Sequence, residues 1–224
     1  MSCGVYSWLF LWYHGEKGGR EMEKKDNYRL QLEQAKQTFL KRDQQKILEK
    51  LNLDADEAWL YPRVLDVRYR ICRKTANFQK FRDGVWVDAN SHSEVMTLLD
   101  LICDSREDRH LKHTWKDTVS FGQMFHRQLQ ERDPWAERFD EDPEGLARAC
   151  DALGGVRFPK GDVAYVMEFF DGLPVLLQLW LGDEEFPSSL RLLWDENALM
   201  YLKYETMYFA KSLLLHRLAE QMER

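Results

Sequence analysis

The sequence predicts an α+β fold, a single domain in which a small, mainly antiparallel sheet is flanked by helices. Three observations carry this. Two Asp-Gly dipeptides, Asp83-Gly84 and Asp171-Gly172, each separate runs rich in aromatic and branched residues, which is the pattern of antiparallel hairpins. Other stretches space their apolar residues three and four apart, as a helix with one buried face requires. No internal repeat and no linker-like stretch divides residues 22–224, so the elements are expected to share one domain. Of the 224 residues 44% are hydrophobic and 13% aromatic, enough apolar surface to bury a core and too much for a disordered chain.

The chain opens on residues 5–13 (VYSWLFLWY), about half the length a membrane-spanning helix needs. They lack the basic flank and the cleavage site of a signal peptide. Residues 15–21 are flexible and polar, and Met22 then begins a stretch resembling a cytoplasmic N-terminus. Residues 1–21 are therefore expected to be a non-native or disordered extension, with translation starting at Met22; the rival is a short aromatic anchor on a membrane surface.

Tyr28, Leu32, Ala35 and Phe39 predict a helix, and Asp43 caps a second one carrying Ile47, Leu48 and Leu51. Residues 59–61 read as a strand ended by Pro62. Over residues 64–72 the alternation of Leu65, Val67, Tyr69 and Ile71 with Asp66, Arg68 and Arg70 predicts one strand with a wet face. Residues 78–81 and 85–87 flank Asp83-Gly84 as a hairpin. Ser91 and Glu94 form a capping box opening a helix with Val95, Leu98, Leu99 and Ile102 on one face. Residues 104–116 are charged and loop-like, and residues 120–130 have helical spacing. Asp133-Pro134 and Asp142-Pro143 each pair an N-cap with proline at the first helical position. The second of these helices stops at Gly154-Gly155. Residues 162–170 and 174–181 form a hairpin, residues 190–194 a further strand, and residues 198–222 a helix.

Charge narrows the function. Thirty-two Lys and Arg against 38 Asp and Glu give a net charge of −6, which removes the electrostatic footprint of a general nucleic-acid binder. Cys3, Cys72, Cys103 and Cys150 are scattered without a C-x-x-C pair, as in a reducing cytoplasm. The signatures of nucleotide loops, dinucleotide folds, α/β-hydrolases and zincins are absent. No cofactor is specified, and a small molecule or a protein partner is expected.

Three groups of residues could carry chemistry. The first is the acidic segment of residues 182–187 (GDEEFP) between two apolar strands, with Asp195 at the end of the second. If Asp183, Glu184, Glu185 and Asp195 converge, they could hold a hard cation, or Asp183, Glu185 and Asp195 could act as acid and base; otherwise they are solvated turn residues. The second is His110 and His113, whose spacing allows metal ligation but which lack the further ligands a site needs. The third is the aromatic and Met-rich stretch of Phe121, Met124, Phe125 and His126, with Trp180, which could line a pocket for a flat ligand or simply pack between helices.

Residues 173–205 (LPVLLQLWLGDEEFPSSLRLLWDENALMYLKYE) resemble the C-terminal signature of domain-of-unknown-function family 3786: an apolar strand, W-x-G-D-E-E-F-P, a strand ending in F-D or W-D, and a tyrosine-leucine pair. Here those positions are Trp180, Gly182 to Pro187, Trp194-Asp195 and Tyr201-Leu202. Residues 143–155 resemble the family's helix ending in A-L-G-G, and residues 117–125 follow its W-x-x-F-R-x-L segment only loosely. Some members carry an added cysteine-rich iron–sulfur domain similar to that of corrinoid proteins, and the family is found mostly in anaerobes. The resemblance implies a role near corrinoid, tetrapyrrole or metal metabolism, while this chain lacks a cysteine quartet of its own. The expectation is a cofactor-binding or partner-docking protein; an enzyme using the GDEEFP carboxylates and a structural interaction module are the alternatives.

Overall fold

The computed structural model describes residues 20–122 and 133–224, with side chains from residue 27 onward. The α+β architecture holds, with six helices among the described residues and the strands divided between two antiparallel sheets. Helix α1 (Arg20–Lys41) leads into α2 (Gln44–Leu51), which Asp43 caps by accepting hydrogen bonds from the N–H groups of Gln45 and Lys46.

The first sheet contains β1 (Asp54–Ala55), β2 (Trp59–Tyr61), β3 (Arg63–Val64), β4 (Val67–Cys72), β5 (Phe78–Arg82) and β6 (Val85–Asp88). Its order is β1-β2-β4-β5-β6, with β3 folded back on β4. The single strand expected over residues 64–72 is broken, because the chain turns at Leu65-Asp66. Leu65 adopts φ 53, its side chain is buried, and its N–H donates to the carbonyl of Phe169 at 2.9 Å. Burial against the second sheet offsets the cost of a left-handed leucine. The Asp83-Gly84 hairpin is as expected, with φ of 49 and 83 in its two turn residues.

Helix α3 (His92–Asp104) starts where the S-x-x-E pattern places it, but the capping box does not form. Ser91 makes no side-chain cap bond. Glu94 is 3% exposed and instead accepts from Tyr69 Oη at 2.8 Å and Lys80 Nζ at 3.0 Å. A first-turn carboxylate facing a sheet with a buried phenol and a lysine gains charge-assisted bonds there.

The second sheet runs β7-β11-β10-β9-β8, built from β7 (Trp115–Asp117), β8 (Val156–Arg157), β9 (Val163–Phe170), β10 (Leu173–Trp180) and β11 (Ser189–Asp195). Strand β7 lies at the end of the segment expected to be a loop, paired with β11. Helices α4 (Pro134–Asp140) and α5 (Pro143–Ala152) begin at their Asp-Pro signals, with Asp133 accepting from Trp135 N–H and Asp142 from Gly145 N–H. A Cβ on Gly145 would sit 1.9 Å from Asp142 Oδ2, so only glycine lets that cap close. The last helix, α6 (Tyr204–Met222), starts later than expected, after a 3-10 turn at Ala198–Met200.

Alternation in the second sheet explains its core. Val175, Leu177 and Leu179 of β10 stand between Met167, Tyr165 and Val163 of β9 and Trp194, Leu192 and Leu190 of β11. They share one apolar cluster with Leu60, Tyr69, Ile71 and Phe78 of the first sheet and with α3 and α6. Each fully buried leucine or valine contributes about 1.5–3 kcal/mol. The sheet is strongly curved. Trp115, on one edge strand, and Phe158, just past the opposite edge strand, bring their rings to 6.5 Å, whereas flat edges would lie about 19 Å apart.

Candidate docking surface

The acidic segment forms a turn that satisfies itself. Asp183 Oδ1 accepts from the N–H of Glu185 at 2.8 Å and of Phe186 at 2.7 Å, and Asp183 N–H donates to the carbonyl of Phe186. The Phe186 and Glu185 amides hold the exposed Asp183 carboxyl below the usual range. Glu184 and Glu185 are exposed. This turn joins Trp180 to Ser189, the paired residues at one end of the β10–β11 ladder, and Asp195 closes the other end of β11, about 20 Å away. The four carboxylates therefore do not converge.

Asp195 is 1% exposed, and its oxygens accept from the N–H groups of Lys112 (3.0 Å), Asn197 (2.8 Å) and His113 (2.7 Å). It fastens a loop and has no open face for a ligand. On that loop His110 and His113 are exposed, His110 Nδ1 lying 3.0 Å from the carbonyl of Asp108. Among the described residues no group of three or more His, Cys, Asp and Glu is placed to hold a metal ion. Phe121 and Trp180 are half-buried, Phe121 with the Lys116 ammonium 5.1 Å above its ring. Met124, Phe125 and His126 lie outside the described residues.

Two depressions stand out among the described residues. A cleft of about 170 Å³ lies between α1, the end of β6 and the start of α3, lined by Leu32, Lys36, Asn77, Phe78, Asp88 and Val95 among others. The second, about 500 Å³ and open to solvent, has the charged walls Lys46, Glu49, Lys50 and Glu107. Neither includes a residue expected to bind a ligand.

A surface not expected to act is built on the outward face of the first sheet. Leu60, Tyr69, Ile71 and Phe78 turn one face of that sheet into the core, so the alternate residues point out. These are Trp59 and Tyr61 on β2, Arg68 and Arg70 on β4, Gln79 and Phe81 on β5, and Trp86 and Asp88 on β6. The Arg70 guanidinium carbon lies 4.2 Å from the ring centre of Trp59 and 4.6 Å from that of Trp86. Its Nε donates to Gln79 Oε1 at 2.7 Å, and the Gln79 amide donates to Asp88 at 2.9 Å. Arg68 stands 4.3 Å over Phe81, and Trp86 meets Phe81 at 5.2 Å and Tyr61 at 6.1 Å. Tyr61 Oη donates to Asp56, whose carboxyl is held low by that phenol and by the N–H groups of Ala58 and Trp59.

Trp59, Tyr61, Phe81 and Trp86 are only half-buried and belong to no part of the core cluster. Among the described residues neither Arg68 nor Arg70 has a carboxylate within ion-pair distance. Two guanidinium groups thus sit on aromatic faces without a carboxylate at ion-pair distance; Arg70 spends its Nε and Nη2 on Gln79 and feels the field of Asp56, while among the described residues no side-chain hydrogen bond engages Arg68. The signal for this face was the placement of Arg68 and Arg70 on the wet parity of one strand. Which aromatic rings surround them depends on strand order.

The model of a family described as Domain of unknown function (DUF3786) matches residues 43–217, from the cap of α2 into the C-terminal half of α6. No curated protein and no solved structure matches the chain. No helix among the described residues is long and apolar enough to cross a membrane.

Proposed function

This chain belongs to the DUF3786 family, and from that premise we propose that it is a non-catalytic docking protein whose outward sheet face holds an acidic segment of a partner protein. The observation that carries the reading is the pair of guanidinium groups, Arg68 and Arg70, held against Phe81, Trp59 and Trp86 without a salt-bridge partner among the described residues. Tryptophan, tyrosine and arginine are the residues that dominate binding energy at protein interfaces, and an arginine already ordered by stacking loses less entropy when a carboxylate arrives. The reading keeps the expected partner-docking role and moves it from the GDEEFP edge to the first sheet.

The cofactor-holding form of the expectation has less support. Ligand pockets usually run about 300–1,000 Å³ and are apolar; the enclosed cleft here is about 170 Å³, and the larger depression is open and charged. A tetrapyrrole or corrinoid does not fit the cleft. Cys103 and Cys150 are buried thiols pushed up to about 12 by desolvation, and among the described residues no group of three or more His, Cys, Asp and Glu is placed to hold a metal or cluster. The metal-assisted or acid/base reading would require Asp183 and Asp195 to share a site, and Asp183 lies in the turn before β11 while Asp195 ends that strand.

The test uses a fluorescent extended peptide of alternating glutamate and tyrosine, and its twin with glutamine for glutamate. The wild-type chain is expected to bind the acidic peptide at least tenfold more tightly than the twin. Arg70→Gln and Trp59→Ala should each lower that affinity about tenfold, in line with loss of a charge-assisted anchor. Equal affinity for the two peptides, or binding unchanged in both variants, would overturn the reading.

A further inference from the structure

A second surface beside the docking face concerns the open edge at β6. Four strands end the two sheet paths among the described residues. Strands β1 and β8 are two residues long and carry Asp54 and Arg157, and β7 is three residues long and carries Lys116 and Asp117. Short length and charge are how proteins blunt sheet edges. Strand β6 is different: it reads Val85-Trp86-Val87-Asp88, without proline or lysine, and Val85 and Val87 are 57% and 37% exposed.

The hydrogen-bond phase of this edge is set by its hairpin. Ala89 N–H donates to the carbonyl of Phe78 at 3.0 Å, and the register pairs Lys80 with Val87 and Arg82 with Val85. Alternate residues of an antiparallel strand bond to opposite sides. Val85, Val87 and Ala89 therefore spend their backbone groups on β5, while the N–H and C=O of Trp86 and Asp88 point to the open side.

We infer that the occupant of this edge is β6 of a second copy of this chain, paired antiparallel about a two-fold axis through Trp86. The sequence around that residue is its own complement. A two-fold at Trp86 makes it the hydrogen-bonded pair with its counterpart, which suits its outward backbone groups. Val85 then faces Val87 of the second copy, and Val87 faces Val85. Asp88 faces Gly84, so no like charges stand opposite one another. The contact is isologous and closes at two copies. It covers the exposed valines on one face and continues the Trp and Arg surface from one copy into the next on the other, giving a docking face of twice the length.

The measurement is the molar mass of the full chain by light scattering after gel filtration, at about 100 μM, above the micromolar dissociation constants of modest interfaces. Wild type is expected at the mass of a dimer. Val85→Lys with Val87→Lys sets lysine against lysine across the axis, and a monomer is expected. Val85→Lys with Val87→Glu sets opposite charges against each other at both positions, and the dimer should return. The valine side chains share a sheet face with their β5 partners Arg82 and Lys80, so circular dichroism checks that each variant is folded. A monomeric wild type, a dimeric double-lysine variant, or a failure of the lysine–glutamate variant to dimerise would each overturn the inference. Peptide binding is read on Arg70→Gln and dimerisation on the valines, so either proposal can fail while the other stands.

Discussion

His92 shows how one side chain can make stability depend on pH. It opens α3 with its ring 4.7 Å from that of Tyr28 and 5.1 Å from that of Phe209, and its Nε2 is buried without a hydrogen-bond partner. Burial pushes its pKa below the ordinary imidazole value, because the charged form would lose its hydration. The unfolded chain, titrating near pH 6.5, then takes up the proton more readily than the folded one. Stability from this group is fully present above about pH 6.5 and is lost as pH falls toward the depressed folded value, with a slope of at most about 1.4 kcal/mol per pH unit. His92→Phe keeps a ring between the same aromatic neighbours and removes the titration. Urea unfolding from pH 7 to 5 should show a shallower fall in this variant; parallel curves for the two proteins would contradict it.

At the scale of the element, the loop before β7 depends on a carboxylate that comes from β11. Asp195 takes up three backbone N–H groups, two of them from Lys112 and His113 on that loop. Asp195→Ala leaves those donors in a buried place without an acceptor and is expected to cost about 3 kcal/mol in urea unfolding. Asp195→Asn should lie between the two, and an unchanged midpoint for the alanine variant would show that water replaces the carboxylate. This bond also marks what the sequence could not display. The Asp-Gly hairpins and Asp-Pro helix starts were legible because turn and cap chemistry act over a few neighbouring residues. Strand β7 was not, because its charged sequence becomes a strand only when β11 supplies the partner. Glu94 was misread for a similar reason: the pattern is local, but Tyr69 and Lys80 are brought to it by the sheet.

At the scale of the molecule, the first sheet is tied to α6 where the β3–β4 turn meets that helix. Arg217 is 9% exposed; its Nε donates to Asp66 at 2.8 Å, its Nη2 also meets Asp66, and its Nη1 meets Glu220 at 3.0 Å. Glu220 in turn pairs with Arg82 of β5 at 3.2 Å. Asp66→Ala leaves a nearly buried guanidinium with one partner and is expected to destabilise the chain by about 3 kcal/mol. Because the apolar cluster runs through both sheets, fluorescence and circular dichroism should report a single shared transition in wild type. Two separated transitions would mean that the sheets are stable independently. Fold class could be read from residue patterns, whereas the docking face could not: Trp59, Arg70 and Trp86 come from three strands, and only their order in the sheet puts two indoles around one guanidinium.

The order of the second sheet also has a consequence in time. Strands β8, β9, β10 and β11 follow one another along the chain and pair in that order, so each can add to its predecessor by closing a short loop. Strand β7 belongs to an earlier part of the chain and must wait for β11 before it has anything to pair with. Long-range pairings form slowly because the loop entropy is spent before the contact is made. During synthesis β7 therefore cannot seat until β11 has been made, and the Asp195-bound loop then latches it in place.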